Sequence, residues 1–349
     1  MNPRTVSALL AALVGAVLVL PVAAVALVLF AMARATAWIA ARLEPTALAW
    51  SELIAYHPGL GWKPRPDLDV HYLADRDPEV FHVVTDADGW PGRGSLAESE
   101  IVVFGDSFAF GFGIDAERSF AAGVSPRVKA IGAPGYNGAQ ELLAMRELAP
   151  ALAGKLVVWL VYYGNDLYDN LSPEMSGYRT PFLARPGDGS AGGDGGWEIV
   201  TRHVSEKPWT SSGRRETARL LADLHSDTEL ARRAFSACAY LVEQAREACK
   251  HAGASLVVVG LPTPRTLSAH WLERLAAHAS SERPIDPALP DRELARICQQ
   301  AGVPFVSGRQ HFSAAHYRPV DDHWNEEGHR VMRQLLADLL RRSPGCEPA

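Results

Sequence analysis

"IVVFGDSFAFGFGIDAERSF", residues 101–120, is the stretch on which the reading of the chain turns. Four apolar residues, Ile101 to Phe104, have the length and composition of a strand buried on both faces. The run then breaks at Gly105-Asp106-Ser107 and opens into a glycine- and phenylalanine-rich loop. A core strand that ends by presenting a serine on a glycine-flanked turn asks for a chemical reason.

Working outward, similar apolar runs recur at 128–132, 155–163, 255–260 and 303–306. Helical patterns fall between or after them, most clearly at 139–149, 228–251 and 326–342. In the last of these, Val331, Met332, Leu335, Leu336, Leu339 and Leu340 form one apolar stripe. Short apolar strands alternating with helices predict an α/β fold, a doubly wound parallel sheet with helices on both faces. The rhythm fails between 172 and 212, where "PGDGSAGGDGG" (186–196) reads as the flexible tip of a surface insertion. Residues 37–98 mix turn residues with short alternating stretches and read as irregular strands packed on the larger body.

Composition narrows the functional classes. The chain has 349 residues and a net charge of −6 with acids and bases interspersed, which argues against a nucleic-acid footprint. Its four cysteines show no CxxC spacing and no histidine cluster, so neither zinc nor another metal is expected, and no cofactor is implied. Residues 5–33 contain no charge and are almost wholly apolar, longer than the helix a bilayer requires. This predicts an N-terminal transmembrane anchor over 1–36, with a cleaved signal sequence as the competing reading. The rest of the chain is then expected outside the cytoplasm, although Arg4 on one side and Arg34 and Arg42 on the other barely distinguish the two orientations.

In an open parallel sheet, ligands bind beyond the carboxyl ends of the strands. The first strand is followed by Ser107, the second by "GAPGYNG" with Gly135, and the third by Gly164-Asn165-Asp166. "VDDHWNEEGH", with His323, precedes the last helix. These are the parts of an acyl-transfer site. A serine hydroxyl needs a base to take its proton, the histidine needs a carboxylate, and a tetrahedral oxyanion needs donors already aimed at it. Asp321 and Asp322 are the candidate acids. Asn325 is placed to cap the final helix, with Glu326 and Glu327 at its positive end.

The combination resembles the SGNH hydrolases, the GDSL-type esterase superfamily, over about residues 99–345. The resemblance places Ser107 on the nucleophile of the GDS block, Gly135 on the second-block glycine, Asn165 on the asparagine of GxND and His323 on the catalytic histidine. It implies a flavodoxin-like three-layer fold, a Ser107–His323–Asp triad and an oxyanion hole from Ser107, Gly135 and Asn165. One departure matters. The common last block, DxxH, has its acid three residues before the histidine, where this chain has Val320. Histidine blocks with the acid at −2 favour Asp321, and Asp322 remains the alternative. The activity implied is hydrolysis of acyl esters, including acylated carbohydrate. Acyl transfer to cell-surface polysaccharide and a non-catalytic scaffold role in polysaccharide assembly are the alternatives.

Overall fold

The computed structural model describes residues 29–30, 32, 50–73, 80–123, 127–175, 177–185, 196–207, 217–279, 284–319 and 321–342. The chain divides into two units, 1–46 and 47–349. The expected anchor lies outside the described residues apart from Leu29, Phe30 and Met32, which are helical. Among the described residues, no helix is long and apolar enough to cross a membrane.

The second unit is organised around five parallel strands: β1 (Ile101–Gly105), β2 (Val128–Gly132), β3 (Leu156–Tyr162), β4 (Ser255–Leu261) and β5 (Phe305–Ser307). Their spatial order is β2-β1-β3-β4-β5. Every residue of β1, β2 and β3 is buried, as a sheet covered on both faces requires. Alternate side chains sort to two cores. Val102, Phe104, Val157 and Trp159 pack with helices α2 (Gly138–Leu148), α5 (Glu229–Ala252) and α7 (Leu289–Ala301). Ile101, Val103, Val158 and Leu160 pack with α8 (Glu326–Arg342) and with Phe108, Phe120 and Trp324. Of the predicted stripe on α8, Met332, Leu335 and Leu336 are buried and Val331, Leu339 and Leu340 lie at the edge of the same core. Shorter helices include α1 (Ser107–Phe110), α3 (Asp166–Asp169), α4 (Thr217–Leu224) and α6 (Ala269–Ala276).

The edge strand β2 carries a lysine within its apolar run, and that lysine is buried. Lys129 Nζ lies 2.6 Å from an Asp86 carboxylate oxygen and donates to the carbonyls of Pro91 (3.1 Å) and Gly92 (3.3 Å). Desolvation lowers its pKa against the pull of Asp86. The contact ties the 86–92 turn to β2.

Within 37–98 the structure has two antiparallel hairpins, Ile54–His57 with Gly61–Pro64 and Asp69–Leu73 with Val80–Val84. The first is bonded to the segment after β2: Trp62 Nε1 donates to the Pro134 carbonyl (3.2 Å), and the Tyr136 hydroxyl donates to the Trp62 carbonyl (2.7 Å). The second places Phe81 and Tyr72 against Phe112, with ring centroids 5.1 and 6.0 Å away. The 172–212 stretch contains the short pairs Glu174–Met175 with Tyr178–Arg179 and Phe182–Ala184 with Glu198–Val200. Most of its glycine-rich tip lies outside the described residues.

Candidate active site

The order β2-β1-β3 is the key to the site. Strand β1 lies between its two sequence successors, so the segments leaving β2 and β3 flank the turn that leaves β1. This is the switch point of a doubly wound sheet, where the chain reverses direction and leaves a crevice.

At the end of β1 the backbone turns sharply and Ser107 starts the one-turn helix α1. Asp106 caps it, its Oδ1 accepting from the Phe108 N–H (2.9 Å), and Gly111 closes it in the left-handed conformation at φ 78°. Burial raises the pKa of Asp106, against the Phe108 N–H, the neighbouring His323 and Ser107. Close packing makes the turn possible. A Cβ on Gly132 would lie 2.4 Å from the Gly105 carbonyl oxygen and 2.8 Å from Ala109 Cβ. Only glycine lets β2 pass this near to the serine-bearing turn.

His323 enters from the segment before α8. Its Nε2 is 2.8 Å from Ser107 Oγ, and Asp321 Oδ2 is 3.2 Å from its Nδ1. The second contact is an ion-pair distance whose N–H···O alignment falls short of a hydrogen bond. Such contacts commonly tighten when substrate binds. The other Asp321 oxygen accepts from the His323 backbone N–H (3.0 Å), closing a turn across the two residues. Desolvation pushes the Asp321 carboxyl up, but its contacts with His323 and the charge of Arg318 outweigh this and hold it below the usual carboxylate range. Asp322 points elsewhere: its Oδ2 accepts from Arg265 Nε (3.1 Å). The geometry therefore brings Ser107, His323 and Asp321 together and leaves Asp322 out.

The imidazole packs against Phe112 (4.9 Å between centroids) and Phe108 (5.3 Å). Phe108, Phe110 and Trp324 belong to the buried core, so of the aromatic residues near the serine Phe112 is the half-buried one. His329, a turn and a half further on, is structural. It is buried, stacks on Phe120 with centroids 5.8 Å apart, and burial drops its pKa to about 3. Asn325 caps α8, its Oδ1 accepting from the Gly328 N–H (3.1 Å).

Gly135 stands in the loop after β2 at φ 77°, and a Cβ there would meet Met175 at 3.2 Å and Trp62 at 3.6 Å. Asn165 follows β3, half-buried, with its side-chain amide donating to Asp169 Oδ2 (3.2 Å). Between them stands Asn137, which the sequence reading passed over. Its Oδ1 accepts from the N–H groups of Ala139 and Gln140 at the start of α2. Its amide donates to the carbonyls of Asp169 (3.2 Å) and Pro181 (3.0 Å). One buried side chain thus ties the Gly135 loop to the Asn165 loop. The available signal was the Asn-x-x-Gln spacing of 137–140 ahead of a helix, a variant of the capping box.

Comparison with known proteins adds little to this geometry. No family model matches the chain, and no curated protein matches it. Solved structures do match in part. A GDSL-like lipase from Bacteroides thetaiotaomicron is 14% identical, with 72% of this chain and 92% of that one covered and a TM-score of 0.37. An inhibitor-bound aryl esterase from M. smegmatis is 13% identical, with 70% and 98% covered and a TM-score of 0.39. At these TM-scores the likeness carries no argument about chemistry, which rests on the residues themselves.

Proposed function

We propose that the protein is a serine esterase of the SGNH type. Ser107 is its nucleophile, His323 its general base and acid, and Asp321 the acid of the triad. The reading is carried by one observation, the 2.8 Å contact between Ser107 Oγ and His323 Nε2 with Asp321 on the opposite ring nitrogen. With Nε2 accepting the hydroxyl proton, Nδ1 carries the ring proton towards a carboxylate held in its charged form. Oγ attacks the acyl carbon as its proton passes to Nε2. The tetrahedral intermediate collapses as Nε2–H protonates the departing alkoxide. Water then attacks the acyl-enzyme, giving its proton to Nε2, and the acid leaves as that proton returns to Oγ. The oxyanion is received by the backbone N–H groups of Ser107 and Gly135 and the side-chain amide of Asn165.

In this reading the substrate is an acyl ester, with acetylated carbohydrate the class in view. The uncharged stretch 5–33 anchors the chain in a membrane with the catalytic unit on the extracytoplasmic side. The test uses the full-length chain with p-nitrophenyl acetate and a fluorophosphonate probe. Wild type should label and turn over, while Ser107→Ala should not label and should lose about 10⁶-fold in kcat. Labelling and turnover that survive in Ser107→Ala would sink the assignment. Labelling with little hydrolysis, raised by adding a sugar acceptor, would recast the enzyme as an acyltransferase.

A further inference from the structure

We propose that Arg318 is the positioning residue that holds Asp321 against the His323 imidazole. The inference rests on the serine-esterase reading above.

The guanidinium is an unusual group to find where it is. Arg318 is 4% exposed in its side chain, and its Nη1 lies 3.4 Å from Asp321 Oδ2, the same oxygen that faces His323 Nδ1. A cation buried this far needs a countercharge, because desolvation is expensive. The Arg318 backbone also participates, its N–H donating to the His323 carbonyl (2.8 Å). Both the acid and the base are therefore attached to residue 318, one through its side chain and one through its main chain.

The other end of the contact is the loop that follows the serine helix. A Cβ built on Gly113 would lie 2.1 Å from Arg318 Nη1, 3.0 Å from Cζ and 3.2 Å from Cδ. Gly113 stands at φ 84°, a left-handed conformation that itself favours glycine, and the guanidinium packs into the space that its missing Cβ leaves. Arg318 thus wedges between the serine-bearing loop and the triad acid, coupling two halves of the site that lie more than 200 positions apart in the chain.

The short anchor of the acid explains why such a residue is needed. Asp321 is two residues before His323, and one carboxylate oxygen is already committed to the His323 backbone N–H. That contact fixes where the carboxylate starts but not its rotation. The second contact, from a rigid planar cation to Oδ2, sets the rotation that aims this oxygen at Nδ1. A lysine would keep the charge but not the planar fork.

The experiment measures kcat and KM of the full-length chain on p-nitrophenyl acetate for Arg318→Met, Arg318→Lys, Gly113→Ala and the Met/Ala double variant, with fluorophosphonate labelling in parallel. Arg318→Met should lower kcat by about 10²-fold with KM nearly unchanged, the cost of a catalytic group displaced by about 1 Å. Arg318→Lys should recover part of that loss. Gly113→Ala should lower kcat as well, and the part of that loss that comes from displacing the guanidinium should vanish when Arg318 is already Met, leaving the part that comes from backbone strain at φ 84°. An active wild type whose Arg318→Met variant keeps full kcat, or losses that simply add in the double variant, overturns the inference alone. A wild type inert to both probe and substrate overturns the esterase reading and this inference with it. Should Arg318→Met fail to fold, Gly113→Ala decides: full kcat there refutes the wedge.

Discussion

The turn at 105–111 and the segment at 317–325 supply the two partners of the 2.8 Å Ser107–His323 contact, yet they are held by different forces. Around Ser107 nearly everything is enclosed. Asp106, Ser107, Phe108 and Ala109 are buried, Gly132 packs without room for a Cβ, and a Cβ on Gly105 would lie 3.1 Å from those of Ala109 and Leu160. At His323 the polar side chains Asp321, Asp322 and His323 are half-buried between the buried Arg318 and Trp324, and Asp321 and Asp322 are each matched to an arginine, Arg318 and Arg265. Excluded volume places Ser107, and charge and hydrogen bonding place His323. A perturbation of packing and a perturbation of charge should therefore reach different halves of the same site.

The strongest way to break this contrast is on the charged side. Asp321→Asn should lower kcat by about 10⁴-fold, as loss of the acid that sets the histidine tautomer does. Asp322→Asn, which removes only a partly exposed ion pair with Arg265, should change kcat by no more than about fivefold. Steady-state kinetics on both variants decide the matter. Equal losses would mean that the segment responds to total charge rather than to one contact.

A smaller effect probes the loops that flank Ser107. If its amide serves the oxyanion as proposed, Asn165→Ala should cost about 10²–10³ in kcat with the melting temperature preserved. Wild-type turnover in a folded variant removes Asn165 from the oxyanion hole.

The smallest effect separates the two halves by pH. Behind the serine turn, burial raises the pKa values of Asp106, Glu141 and Asp166, with mutual repulsion adding to the last two. These groups bind protons more tightly folded than unfolded. Their contribution is complete below the ordinary carboxylate range and is lost as pH rises through their folded values. Asp321 has the opposite sign, contributing above the ordinary range and losing that contribution as pH falls through its depressed value. Glu141→Gln, which keeps an acceptor for Trp159 Nε1, should raise the melting temperature at about pH 9 by about 2–4 °C and leave it unchanged near pH 4. A shift of equal size at every pH would assign Glu141 to packing instead.

Much of the fold was legible in the residues. The apolar run of β2 was placed to the residue at 128–132, and α8 likewise at 326–342, because each is a strongly patterned segment whose neighbours break the pattern. Strand β5 was less distinct and starts at Phe305 rather than at 303, since Pro304 cannot donate to a ladder and its carbonyl instead accepts from the Val258 N–H. Ser107, Gly135, Asn165 and His323 were readable as strand-end and pre-helix residues. The two hairpins within 37–98 were visible only as irregular strands, although one is bonded to the Gly135 loop and the other packs on Phe112.

What the sequence by itself determined is the set of chemical groups and the strands that carry them, because hydrophobic period and turn chemistry are local properties. The fate of Asp322 was not local. Asp321 and Asp322 are adjacent and chemically identical, and while Asp321 pairs with Arg318 three residues before it, Asp322 is turned to Arg265, which only the folded chain brings to it. The same holds for Gly113 and Asn137, whose neighbours in space lie far along the chain. Tertiary structure decided these because long-range packing, and not residue type, fixes which oxygen a buried cation or amide can reach.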